Sequence, residues 1–348
     1  MKQLLRRSGR LLCALSLGAF SLCPGGSISA APPASLNIYV PSGQITFINE
    51  LCNNLRIEAG NHSQSLEMHE AGNSGETQLQ QLSMPLEGSH ARIVRAVDGL
   101  NPRTIVDMAQ KNNETVIFVS TLVARSVIDS YENAWFVGAN SRSVGNRLAE
   151  NVIGYITGHS GSDLNGNGII DIMVIHGPAG HVEERARYAS LVKYLDQHGI
   201  PYRFVNEVTA DWYYDRAYEH VSALIKADKY QEADLIVAMN DDMGLAVIDA
   251  VEQSGRANLL PKLPIFSVDG IHEALLAIRR GKLKATVKHN LPHTAATIFA
   301  IANGEHNLIN LSRVAGQKVE SRVVFLSPQA VTANNVEDFL NDPALHRY

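Results

Sequence analysis

From residue 36 onward, short apolar runs alternate with longer stretches whose apolar residues recur every three or four positions. The first pattern predicts buried strands and the second amphipathic helices. Strands are predicted over 36–40, 65–69, 91–97, 115–120 and 134–138, with helices over 44–58, 77–86 and 102–111 between the first four. A long helix over 141–159 follows. Strands then resume over 170–175, 202–208, 234–239, 264–268 and 283–288, separated by helices over 181–197, 215–227, 243–255 and 270–280. A helix over 292–303 and a late strand over 322–326 close the pattern. Repeated strand–helix units build parallel sheets covered on both faces. Ten or so strands divide better into two sheets than into one, so the expected class is α/β with two lobes. No repeat or low-complexity linker marks a boundary near residue 140, which makes that boundary a strand-to-helix crossing rather than a tether.

The first thirty residues have the pattern of an export leader. Lys2, Arg6, Arg7 and Arg10 precede an apolar stretch over 11–22, and Ser27, Ser29 and Ala30 offer small residues for cleavage near Ala30. The apolar stretch is too short to span a bilayer, which takes about 20 residues. Losing the four basic residues moves the formal net charge from −5 to −9. An acidic chain without a basic patch is a poor match to nucleic acid. What remains is long enough for two domains. Cys13 and Cys23 leave with the leader, so Cys52 stands alone and no disulfide within the chain is available. It falls on an apolar helical face with Ile48 and Leu51, where a buried bystander is expected.

Residues 163–187 concentrate the chemistry. Asp163, Asn165 and Asn167 alternate, Gly168 follows, and Asp171 comes four residues after Asn167. This is most of a calcium loop, in which glycine permits the turn that aims oxygens inward. The helix–loop–helix form fails, because Val174 stands where a bidentate Glu belongs and residues 170–175 have strand character. A generic surface turn rich in Asx and Gly is the competing reading. Beyond the strand, residues 177–180 break the chain, and His181, Glu183 and Arg187 open the next helix. Trp212, the run Asn240, Asp241 and Asp242, then Asp269, His289 and Asn290 also stand at strand ends. In open α/β sheets that is where ligands bind. Turns favour Asn, Asp and Gly for their own reasons. As a set, however, one aromatic plane with planar carboxylates, amides and an Arg suits the hydroxyls and C–H face of a sugar.

These residues together resemble the periplasmic sugar-binding proteins of the type I fold, most of all their calcium-containing galactose/glucose-binding branch. The likeness runs from Asp129 to about Ala302. It is carried by the loop from Asp163, by Gly180 and His181 with Glu183 and Arg187, by Thr209 to Trp212, Ala238 to Asp241, Val268 and Asp269, and Thr286 and Val287. The resemblance implies two Rossmann-like lobes joined by a three-segment hinge and closing on a ligand. Lobe one is then expected over 36–139 and 292–320, and lobe two over 140–291 and 321–345. It implies a structural calcium held by Asp163, Asn165, Asn167, the Ile169 carbonyl and Asp171, with Asp234 as the final carboxylate. It places His181, Arg187, Trp212, Asn240 and Asp269 on sugar contacts. Glu183 replaces the family's Asp, His289 stands where an Asn is expected, and Ser120 replaces an Asn of the first lobe. The family's acid–aromatic pair is missing after the first strand, which leaves Phe47 as a candidate second stacking ring. One half of the cleft is family-like and the other is rebuilt.

The resemblance implies a monomeric periplasmic protein that captures a monosaccharide or similar polyol for an import permease of the ABC class or for a chemoreceptor or other membrane sensor. A non-sugar signal as ligand is one alternative. A hydrolase using His176, His181, Glu183, Asp241 and Asp242 is another, although no nucleophile elbow, second metal cluster or phosphate loop accompanies them. A sugar-responsive repressor would carry a DNA-binding helix-turn-helix where the leader stands. A purely structural protein would follow if the rebuilt first lobe had closed the cleft.

Overall fold

The computed structural model describes residues 35–341 apart from 87, 88, 98, 99 and 261. The expected leader and residues 342–345 of the expected second lobe lie outside these. The first half runs β1 (Ser35–Val40), α1 (Thr46–Asn61), β2 (Ser65–Glu70), α2 (Gly75–Ser83), β3 (Ala91–Val94), α3 (Pro102–Lys111), β4 (Thr115–Val119), α4 (Arg125–Ile128) and β5 (Ala134–Gly138). The second runs α5 (Ser141–Gly158), β6 (Ile170–His176), α6 (Val182–Gln197), β7 (Tyr202–Thr209), α7 (Tyr214–Lys226), β8 (Leu235–Ala238), α8 (Asp241–Gln253), β9 (Ile265–Phe266), α9 (His272–Arg279) and β10 (Ala285–Lys288). The chain closes with α10 (Leu291–Ala302), α11 (Leu308–Val314), β11 (Val323–Phe325), β12 (Gln329–Thr332) and α12 (Val336–Leu340).

The strands form two six-stranded sheets, ordered β11-β5-β4-β3-β1-β2 and β12-β10-β9-β8-β6-β7. Every pairing is parallel except β10 with β12. The inner strands β3, β5 and β8 are buried along their whole length, as a sheet covered on both faces requires. The edge strands β2 and β7 mix exposed and half-buried positions. The chain crosses between sheets after β5, after β10 and after β11. The third crossing corrects the expected boundary at 321. β11 pairs with β5 in the first sheet, and only β12 returns to the second. Its apolar Val323, Val324 and Phe325 extend the first sheet before the chain changes lobes.

Several strand-end polar residues act as helix caps. Asn140 accepts from the Arg142 and Ser143 amides, Asn240 from Met243 and Asn290 from His293. A side-chain oxygen there satisfies an N–H with no partner inside the helix.

Candidate ligand-binding cleft

Arg95, Ser120, Ala139, Trp212, Asn240 and His289 lie just beyond the carboxyl ends of β3, β4, β5, β7, β8 and β10, and all border one cavity whose space, counting the part open to solvent, is about 600 Å³. Of the side chains expected to hold a ligand, Phe47, Ser120, Glu183, Arg187, Trp212, Asn240, Asp269 and His289 line it. His181 stands behind them. Its ring meets Trp212 edge-on at 5.7 Å, and its Nδ1 accepts the Glu183 N–H at 3.3 Å as the cap of α6. It orients the wall rather than forming it.

Trp212 follows β7 in a tight turn in which Asp211 and Trp212 have φ of 54° and 73°. Its indole lies so close to Gly177 that a Cβ there would sit 2.3 Å from the ring. Only glycine at the end of β6 admits this packing. The Arg187 guanidinium lies over the ring at 5.2 Å and donates to the Met239 carbonyl. The ring expected to stack on a ligand thus already carries a cation–π contact. Asn240 is also partly committed: its Oδ1 caps α8 and its Nδ2 donates to the Trp212 carbonyl at 3.1 Å. One amide N–H remains for a ligand.

Asp269 accepts no side-chain hydrogen bond among the described residues. Its Oδ1 lies 3.6 Å from Arg187 Nη2 and 3.8 Å from His289 Nε2. Burial pushes its carboxyl well above the usual range, against the pull of Arg187. Burial also acts on Glu183, but Arg187, His181 and Arg95 hold that carboxyl below its usual range. His289 is pushed down to about 3 by burial and by Arg187, so its imidazole is neutral. The cavity therefore offers a fixed negative charge at Glu183, guanidinium groups at Arg95 and Arg187, and a neutral imidazole. Phe47 faces His289 across the cleft at 4.9 Å.

The lobes also cap each other's helices. The Asp242 carboxylate, at the start of α8, accepts from Thr46 N at 3.0 Å and Thr46 Oγ1 at 2.6 Å. In return Glu50 of α1 accepts from the His272 amide at the start of α9, at 2.8 Å. Neither α1 nor α9 has a capping side chain of its own.

Sequence reasoning misses Arg95. The apolar pattern carries the third strand on to 97, whereas β3 ends at Val94. Arg95 is therefore a strand-end residue, and it borders the cavity. The residues considered for a hydrolytic site are dispersed. His176 pairs with Glu184 at 2.6 Å, and Asp242 holds Thr46. Asp241 is enclosed by Ser267, Thr286 and the Ile271 amide, and burial pushes its carboxyl up to about 7.

The residues expected to hold calcium are arranged otherwise. Asp163 accepts the amides of Gly166, Asn167 and Gly168. Asp234 accepts those of Leu164 and Asp171, both at 2.8 Å. Asp171, with only 1% of its surface exposed, receives Arg203 Nε at 2.8 Å and Nη2 at 3.0 Å. The Asn165 and Asn167 amides donate to the same carboxylate. Arg203 is the register partner of Asp171 across β6 and β7. Among the described residues no three His, Cys, Asp or Glu side chains gather for a metal. In this arrangement the Asn165 and Asn167 N–H groups and the Arg203 guanidinium face the Asp171 carboxylate.

Two α/β lobes, three crossings and a polar cavity at facing strand ends define a two-lobed ligand-capturing protein. Residues 38–305 match the periplasmic binding protein domain, and the chain belongs to that family. This is a periplasmic family of substrate-binding proteins, not of enzymes. The chain is 26% identical over 274 residues to the D-galactose/methyl-galactoside binding periplasmic protein of Haemophilus influenzae, covering 78% of this chain and 81% of that one. It is 30% identical over 178 residues to the xylitol-binding protein of Mycolicibacterium smegmatis, 50% of this chain and 45% of that one. The crystal structure of the Caulobacter myo-inositol binding protein bound to myo-inositol superposes with a TM-score of 0.68 at 21% identity, covering 91% of this chain and 98% of that one. That likeness shows the fold.

Proposed function

We propose that this protein captures a monosaccharide or similar polyol between its lobes and presents the closed complex to a membrane permease of the ABC class. One observation carries the reading. Arg95 Nε, Arg187 Nε, Trp212 Nε1 and His289 Nε2 are buried without hydrogen-bond partners, and all four side chains line the same cavity. Buried polar atoms are normally paired, so a set of orphans around one cavity calls for a polar ligand. Hydroxyls both donate and accept, and so can complete the carboxylates as well as the N–H groups. Relatives named for galactose and xylitol, and a fold neighbour holding myo-inositol, support the same class of ligand.

The leader over residues 1–30 would export the chain, which would work as a monomer. A sensor's periplasmic domain is the second recipient of the closed complex, and pull-down with and without ligand separates the two. A thermal-shift screen of monosaccharides and polyols tests the core of the reading, because a ligand of the folded state must raise the melting temperature. No shift with any of them, at millimolar concentration, would sink it.

A further inference from the structure

Among the described residues two arginines besides Arg187 are buried, both beside the first sheet. Arg92 is fully compensated: it forks onto Glu114 at 2.6 and 3.1 Å and donates to the Tyr39 hydroxyl and the Met84 carbonyl. Arg95 is not. It is 7% exposed, its Nε has no partner, and among the described residues its guanidinium makes no hydrogen bond or ion pair. Its backbone is nevertheless held firmly. Its N–H donates to the Tyr39 carbonyl at 2.9 Å, its carbonyl accepts Gln78 Nε2 at 2.9 Å, and Val97 N donates to Gln78 Oε1 at 2.8 Å. Gln78, fully buried, thus pins the strand end on which Arg95 stands.

The surroundings decide what the guanidinium awaits. Its own lobe contributes Phe47, Ile48, Leu51 and Ser120 to the cavity, none of them acidic. Of the acids on the far wall, Asp269 lies against Arg187, and Glu183 is shared by Arg187, His181 and Arg95 without an ion-pair contact to Arg95. A buried guanidinium whose N–H groups find no acceptor is strongly unfavourable, and its planar fork matches a carboxylate through two parallel bonds.

We propose that Arg95 selects acidic monosaccharides, uronic or aldonic acids, whose carboxylate forks onto its guanidinium while Arg187, Asn240 and Asp269 hold the hydroxyls. This rests on the sugar reading above and narrows it. A single fork, with no lysine in the cavity wall and Glu183 across from it, suits one negative charge better than the dianion of a sugar phosphate.

Calorimetry on the full mature protein compares matched pairs: galacturonate with galactose, glucuronate and gluconate with glucose, and glucose 6-phosphate as a dianion. The acid of at least one pair is expected to bind roughly 10- to 100-fold tighter than its neutral parent. Arg95→Met should collapse that ratio toward one while leaving the affinity for the neutral parent sugars little changed. Arg95→Gln serves if the Met variant fails to fold. Neutral sugars binding as tightly as their acids, or a ratio that survives in the variant, would overturn the inference and leave the sugar reading intact. Tighter binding of the phosphate would overturn the carboxylate assignment. Binding of none of these would overturn the inference and leave the sugar reading to the thermal-shift screen.

Discussion

Asp242→Ala should open the cleft. Its carboxylate is the side-chain cap of α1, a helix of the other lobe, through Thr46 N at 3.0 Å and Thr46 Oγ1 at 2.6 Å. Ile45, the residue at the capping position, makes no such bond. Loss of a capping acceptor costs about 1 kcal/mol, and loss of the hydroxyl bond about as much again. Because the partners sit on different lobes, the open form is spared both penalties. A closed-state penalty of about 2 kcal/mol shifts the closed-to-open ratio about thirtyfold, and weakens apparent ligand affinity by up to that factor when the open form dominates. Small-angle scattering with and without ligand reads the first quantity and calorimetry the second. Thr46→Val, combined with Asp242→Ala in a double-mutant cycle, isolates the pair. Asp249→Ala is the control: that carboxylate accepts the Tyr214 hydroxyl at 2.6 Å within one lobe, so its loss should lower stability without opening the cleft. Wild-type scattering and affinity in Asp242→Ala, or strict additivity with Thr46→Val, would refute the reasoning.

Arg203→Ala should lower the melting temperature at pH 7. Burial raises the Asp171 carboxyl, but the Arg203 and Asn bonds hold it below its ordinary value, so this stability is present above the unfolded pKa and lost as pH falls through the folded one. The difference between variant and wild type should therefore fade below about pH 4. With a guanidinium in the loop, wild-type melts should be alike with and without chelator, whereas a fall on chelation would restore the expected calcium. Asp269→Ala should weaken ligand binding by about 2–5 kcal/mol, because Arg187 loses its buried counter-charge; unchanged affinity by calorimetry would remove Asp269 from the site. Cys52 is fully buried and its thiol is pushed up to about 11, so iodoacetamide should label it in urea and not in the native protein.

The α/β alternation was legible because buried strands and amphipathic helices differ in period, and eleven strands were placed to within a few residues. What escaped was short or governed by distant partners. β12 has four residues with a mixed pattern, and it is a strand only because β10 offers an antiparallel edge. α11 and α12 hold seven and five residues, too few for periodicity to speak. Arg95 was hidden by an apolar pattern that outruns β3 by three residues.

The cleft shows a deeper limit. Strand ends gather Asn and Asp for capping and for ligand contact alike, and at Asn240 both demands fall on one amide. Sequence spacing can name such a residue but cannot divide its hydrogen bonds. The loop at 163–171 makes the same point with opposite sign. Its spacing is that of a cation loop, yet its Asp171 also meets Arg203, thirty-two positions away in the chain and beside it in the sheet. Local motifs report the oxygens available, and the fold decides what they face. The same holds for Asp242 and Glu50, ordinary helix carboxylates in the sequence whose acceptor roles exist only when two lobes meet. Residues that join the two lobes are therefore the ones a linear pattern reads worst, since their partners belong to the other lobe.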